Sequence, residues 1–331
     1  MSAMPNPLLA PPPVTNADPA AIGSLDALYK AFTALNMEGG WHRSRPALWR
    51  EPARHFLPCR WRYGEVKPIL AAAGQLVGTD QAERRNLTMF NPAPGNIYPT
   101  LNTLVAAYQM VRPGEVARAH RHTANALRLI LEGQGTYTVV NGQRVEMRPG
   151  DVLLTPNWAW HSHENSGQDD CYWMDFLDVP LVHLLEPMFY EPHPEGLEKD
   201  IAESQGRALA FRWEETVARL GKARGQEVCD AHASVQLGDP ALKTIRLDMQ
   251  QLDAGKPTAT CRTTANIIYA VVRGSGVTHV DGEAMDWHFG DTIAVPAWRP
   301  YRHLASQDAV LLKVSDAPVM AAFDWLRTEA A

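Results

Sequence analysis

No run of apolar residues in the 331-residue chain approaches the roughly 18 needed to cross a bilayer as a helix. Cysteine is sparse. Cys59, Cys171, Cys229 and Cys261 lie far apart, with no C-x-x-C pair, which argues against a disulfide scaffold or a zinc finger. Basic blocks are missing too: Lys and Arg number 31 against 37 Asp and Glu, a net charge of −6. A nucleic-acid partner is therefore not expected. No charged n-region precedes an apolar core at the start, so a secretory leader is not expected either. These absences point to the cytoplasm, with no membrane and no nucleic acid as partner.

What is present has the make-up of a globular protein: 45% hydrophobic and 21% charged residues. Residues 1–23 are rich in proline and predict an irregular arm. Ser24 reads as an N-cap, and Leu25, Leu28, Tyr29, Phe32 and Leu35 recur at helical spacing before Gly39-Gly40. From Thr100 to Val179 short apolar runs such as LVAAYQMV, ALRLIL and TYTVV alternate with Gly, Pro and Asn signals. That texture predicts antiparallel strands in a sandwich or barrel. Residues 194–225 read as helical, with Trp213, Val217 and Leu220 on one face. The strand texture returns from Ser234 to Ser315, and a last helix is expected over Pro318–Thr328.

The two strand-rich blocks repeat each other. HRHTANALRLILEGQG (120–135) aligns with CRTTANIIYAVVRGSG (261–276), an offset of 141. GDVLLTPNWAWHSH (150–163) aligns with GDTIAVPAWRPYRH (290–303), an offset of 140. Two matched blocks, in order and at nearly constant offset, indicate an internal duplication. The expected fold is all-β dominated: two double-stranded β-helix (jelly-roll) barrels, with an N-terminal helical arm, interdomain helices and a C-terminal helix. The expected division is 1–84 arm and helix, 85–185 first barrel, 186–233 helical linker, and 234–331 second barrel with its helix.

His120 and His122 stand two apart on a predicted strand, so both rings face one side and Arg121 the other. His161 follows about 40 residues later. Three imidazoles on one face leave open positions on an octahedral metal. In the second block the corresponding residues are Cys261, Thr263 and Tyr301, and only His303 matches His163. The first barrel is thus the expected metal domain and the second a degenerate copy. A residual site at Cys261 and His303 is a minor alternative.

Gly114-x5-His120-x-His122 and Gly150-x5-Pro156-x4-His161-x3-Asn165 resemble the two motifs of the cupin superfamily. Trp158 replaces the glycine that usually follows the proline by two residues. The glutamate that usually follows the second histidine is absent, with Ala126 and Leu127 in its place. A glutamate-free triad, a degenerate second barrel and an N-terminal helix together resemble the gentisate 1,2-dioxygenase family of bicupins, which includes salicylate and 1-hydroxy-2-naphthoate dioxygenases. The resemblance runs from about Leu25 to the C-terminus. It implies one Fe(II) per chain on His120, His122 and His161, with O2 as co-substrate. It also implies a small aromatic hydroxy acid as substrate, and a homo-oligomer, commonly a tetramer. Cleavage would fall between the carboxylate-bearing and hydroxyl-bearing carbons, with both oxygen atoms entering the product.

The resemblance also suggests residue roles. Arg128, in the otherwise apolar ALRLIL, falls at a substrate-binding arginine; its ordinary alternative is a salt bridge within the barrel. His163 would hydrogen-bond substrate or dioxygen. A second carboxylate-binding arginine is Arg84 or Arg85, with Arg84 preferred. Asp175 would lie near the ring 5-position, with Asp178 as competitor. Relatives often carry tryptophan fifteen residues before the first ligand; this chain has Val105, with Ala107 two positions on. That reshaped wall suggests a 5-substituted salicylate (amino, nitro, halo) beside gentisate. Salicylate and 1-hydroxy-2-naphthoate are alternatives, and a non-enzymatic ligand-binding cupin is the rival of another class.

Overall fold

A computed structural model describes residues 22–43, 47–203, 209–238 and 241–331, in two units, 1–53 and 54–331. In the first unit, helix α1 spans Leu25–Ala34. Ser24 is extended and its hydroxyl accepts the Ala27 N–H at 3.1 Å, the N-cap its sequence position predicts. Most of the proline-rich arm lies outside the described residues.

The second unit is built of two double-sheet barrels with the same strand order. In the first, strands 152–155, 126–132, 171–177 and 105–111 lie side by side, facing a sheet of 116–122, 161–165, 136–140 and 143–146. In the second, 292–295, 267–273, 309–315 and 246–252 face 261–263, 301–305, 276–280 and 283–287 in the matching order. Alternation assigns the faces. On strand Val105–Val111, Ala106, Tyr108 and Met110 join a core shared with Met249, Ile268 and Leu312 of the second barrel. Val105, Ala107 and Gln109 have the opposite parity and face the interior of their own barrel.

Each barrel is completed by a segment that stands beside the other one in sequence. Strand Cys59–Trp61 pairs with Thr292–Ala294, and helix α2 (Tyr63–Leu76) starts where Asp291 Oδ1 accepts the Tyr63 N–H at 2.9 Å. Strand Ala210–Phe211 pairs with Val152 and Leu153. The two remaining inter-barrel helices are α3 (Val179–Leu185) and α4 (Trp213–Lys222), and Asp151 Oδ1 accepts the Trp213 N–H at 2.8 Å. Gly150 and Gly290 precede these aspartates with φ +87° and +80°, and a Cβ there would meet Trp213 at 2.8 Å and Tyr63 at 2.5 Å. So the repeated Gly-Asp is a docking step for an aromatic-led helix.

Three expectations are corrected. Among the described residues of 194–225, expected to be helical, helix is found in α4 and the rest is loop and short strand; in α4 Glu214 and Glu215 in the first turn and Arg219 and Lys222 in the last suit the dipole. The C-terminal helix is short, α5 (Ala317–Ala322), and the chain ends in strand Thr328–Ala330, which pairs with Cys261–Thr263. Cys229 and Cys261 form a disulfide across 32 residues, so Cys261 is not available for a residual site with His303. Spacing in sequence carries no trace of that pair. Helix α2 is an addition: Pro68 within it masks its pattern.

Candidate active site

His120 and His122 end strand Val116–His122, and His161 opens strand His161–Asn165, where it pairs directly with His120. One ring nitrogen from each lies within 4.8 Å of the others, the single such cluster among the described residues. Each Nδ1 sits against a backbone carbonyl two residues away: His120 on Arg118 at 3.2 Å, His122 on Ala124 at 2.8 Å, His161 on Ala159 at 3.1 Å. A proton held at Nδ1 in this way leaves Nε2 as the donor to a metal, the usual arrangement around a histidine ligand. Burial depresses all three pKa values. His120 falls to about 3, helped by the Arg84 charge, and His161 lies well below its ordinary value. The imidazoles are therefore neutral near pH 7, the form that ligates. The donor set fits a divalent metal ion.

Trp158 explains one departure from the cupin motif. It holds the left-handed turn (φ +63°) normally given to glycine, its N–H bonds His122 O at 2.9 Å, and its ring stacks under Arg121 at 5.5 Å. Arg121, directed outward, also caps Trp160 and pairs with Glu191. The turn therefore fixes the backbone of a ligand.

Beneath the triad lies a buried polar group. Arg128 is 1% exposed; its Nε stands 3.2 Å from Asp175 Oδ1, and its Nη1 donates to Thr155 at 2.5 Å. Asp175 also accepts from Trp173 Nε1 at 2.9 Å and from Gln109 Nε2 at 2.6 Å. Asp175 is thus the counter-ion of Arg128. His163 lies outside the ligand cluster, 6.1 Å from His161 ring to ring, and both its nitrogens lack partners. Gln109 Oε1 is equally unpartnered. These atoms keep hydrogen-bonding capacity that a bound molecule or water can use.

Arg84 and Arg85 part company. Arg85 is buried in an ion pair with Glu115 and bonds Val77 O at 2.7 Å. Arg84 is half-buried, and its charge reaches His120, His122 and His163. Asp178 is structural: its carboxylate takes the Asn125 N–H at 2.7 Å and Asn125 Nδ2 at 3.1 Å. Val105 and Ala107 are buried on the interior face, with Ala107 beside Asp175. Gln109 escaped the sequence reading, although its parity with Ala107 in LVAAYQMV could have found it.

Residues 107–179 match the cupin domain family. The chain is 34% identical to a 5-aminosalicylate 1,2-dioxygenase of Comamonas sp., covering 92% of this chain and 90% of the relative. It is likewise 34% identical to a gentisate 1,2-dioxygenase of Streptomyces sp., covering 92% and 95%. In solved structures, the salicylate 1,2-dioxygenase of Pseudaminobacter salicylatoxidans superimposes with a TM-score of 0.85 at 29% identity, over 93% of this chain and 97% of that one. A gentisate adduct of that enzyme gives 0.86 over 92% and 93%.

Proposed function

The chain belongs to the gentisate and salicylate 1,2-dioxygenase family, ring-cleaving oxidoreductases on a bicupin fold, and from that premise we propose that it opens gentisate or a related 5-substituted salicylate (amino, nitro or halo). The observation that carries the reading is three neutral imidazoles, two buried and one half-buried, within reach of the charge of a buried arginine. We assign one Fe(II) per chain to His120, His122 and His161. When bound, the ferrous ion supplies open positions for a chelating hydroxy acid and for O2, and the electrons that start ring oxygenation.

The remaining roles fall to side chains. Arg128 and Arg84 add two positive charges against the one negative charge of Asp175, so an organic anion is drawn in. Arg128 binds the substrate carboxylate with the N–H groups that Thr155 does not use. Asp175, held by Trp173 and Gln109, is a positioning residue that fixes the plane of the guanidinium. Burial holds His163 well below its ordinary pKa; as a neutral imidazole it donates one N–H to substrate oxygen or to dioxygen without adding charge. Gln109 Oε1 accepts a hydroxyl or amino proton on the ring. Cleavage falls between the carboxylate-bearing and hydroxyl-bearing carbons, and both oxygen atoms enter the product. Val105 and Ala107 leave room along one wall, which favours a 5-substituent; for the same reason salicylate and 1-hydroxy-2-naphthoate stand as the second reading.

The first barrel is in this reading the metal domain (85–185), and the second (234–331) holds none. The protein works in the cytoplasm, where ferrous iron stays reduced, as a homo-oligomer, tetrameric by family resemblance. The test is O2 uptake by anaerobically Fe(II)-loaded protein with gentisate, salicylate, 5-amino-, 5-nitro- and 5-chlorosalicylate, and 1-hydroxy-2-naphthoate. One O2 per ring opened, with both labelled atoms of 18O2 in the product, is expected. No uptake despite bound iron would overturn it, and a protein that holds the acids unchanged would be a binding cupin instead.

A further inference from the structure

The second barrel has its own partly open cavity, of about 240 Å³, where the first barrel has its histidine triad. Cys261, Thr263 and Tyr301, at the places of His120, His122 and His161, line it, and so do Arg246 and Gln250, at the places of Val105 and Gln109. The charge is inverted. In place of a cation held by neutral donors, this interior holds an anion, Asp230. Its carboxylate accepts from Gln250 Nε2 (2.9 Å), Tyr269 OH (2.6 Å), Tyr301 OH (2.9 Å) and Lys313 Nζ (2.5 Å).

Counting donors shows what remains. Asp248 is met by two of the five N–H donors of Arg246, at 2.8 and 2.9 Å. Asp230 uses one of three on Lys313. Both acids are therefore served, while cationic N–H groups on Arg246 and Lys313 remain at the cavity. One acceptor is left over: Gln250, 1% exposed, has its Oε1 unpartnered. Ala265, Ile267 and Leu326 give the space an apolar wall. The volume lies just under the usual range for organic ligands, room for one small ring and its substituents.

We infer that the second barrel is a metal-free binding site for a small aromatic carboxylate bearing a hydroxyl or amino group. The carboxylate meets Arg246 and Lys313, the ring lies on Ile267, and the hydroxyl or amino proton goes to Gln250 Oε1. The site is separate from the metal centre, and the inference shares with the proposed function only the choice of probe.

Equilibrium dialysis of radiolabelled gentisate against anaerobic, iron-loaded protein tests it. Two molecules per chain are expected at saturation. Gln250→Met and Ser234→Trp, the latter blocking the cavity from a half-buried position, should each bind one and keep turnover within about twofold. His122→Ala should also bind one, the other molecule. A single molecule lost in His122→Ala and kept in Ser234→Trp overturns the inference and leaves the proposed function standing. A single molecule lost only in Ser234→Trp does the reverse. No gentisate bound, or a second molecule indifferent to both second-barrel variants, overturns this inference.

Discussion

The two barrels share strand order, the Asn125/Asn266 and Asp178/Asp316 loop clamps and the Gly-Asp helix docks, yet their interiors differ in kind. The first gathers neutral imidazoles within reach of the charge of a buried arginine. The second surrounds its cavity with groups tied to one carboxylate, Asp230, which Tyr269 and Tyr301 both meet. Duplication preserved what the backbone needs and released what the chemistry needed. The Asn, Asp and Gly of the clamps and docks recur at the 138–141 offset; the three histidines of the triad do not, although Gln109 and His163 recur as Gln250 and His303.

Exchanging residues between the halves tests that division. The largest effect belongs to His122→Thr, which copies the second barrel into the first. Iron content and O2 uptake should fall more than about 100-fold, since even outer partners of such ligands are worth 10–100-fold. Tyr301→Phe, at the place of His161, should leave turnover nearly unchanged. Equal losses would break the comparison.

Next comes Arg128→Met, which strands Asp175 and should cost about 3–5 kcal/mol in denaturant unfolding of the metal-free protein. Tyr269→Phe, at the matching place, removes one of four donors to Asp230 and should cost about 1 kcal/mol.

Acid provides the third test. Burial alone would raise the Asp230 carboxyl, but the Lys313 charge and the hydrogen bonds from Lys313 and Tyr269 outweigh it and hold it well below the usual range. A lowered folded-state value gives stability that is complete above the unfolded value near 3.9 and lost as pH falls beneath it. Below about pH 4 the wild type should therefore lose stability more steeply than Asp230→Asn, by on the order of 2 kcal/mol. Parallel acid curves would place the sensitive groups elsewhere.

The last pair is Gly150→Ala and Gly290→Ala. Each should lower stability by about 1–2 kcal/mol for the left-handed backbone, read as melting temperature. Similar losses would sharpen the view that the two docks are equivalent.

Much of this was legible in the residues. The repeat, the strand texture and the three histidines are local patterns with fixed parity, and parity survives folding. Pairings between distant segments have no such signature. The Cys229–Cys261 bond, the capture of Arg128 by Asp175 and the strand at Thr328–Ala330 each depend on which edges meet in space. Helix α2 was hidden by its own proline, and Gln109 by its apolar neighbours. Asp175 stood out as a residue but its partners Arg128, Trp173 and Gln109 did not, because sequence gives a carboxylate's position and not its neighbours.

The crossed docking of α2 and α4 sets the order in which the polypeptide can finish on the ribosome. The last strand of the first barrel's sheet, Ala210–Phe211, emerges well before Asp291, yet Tyr63 must wait 228 residues for that aspartate. The half that holds the histidines is complete early and is locked to its twin late. A nick in the loops between them would release neither, because each half keeps a piece of the other's chain.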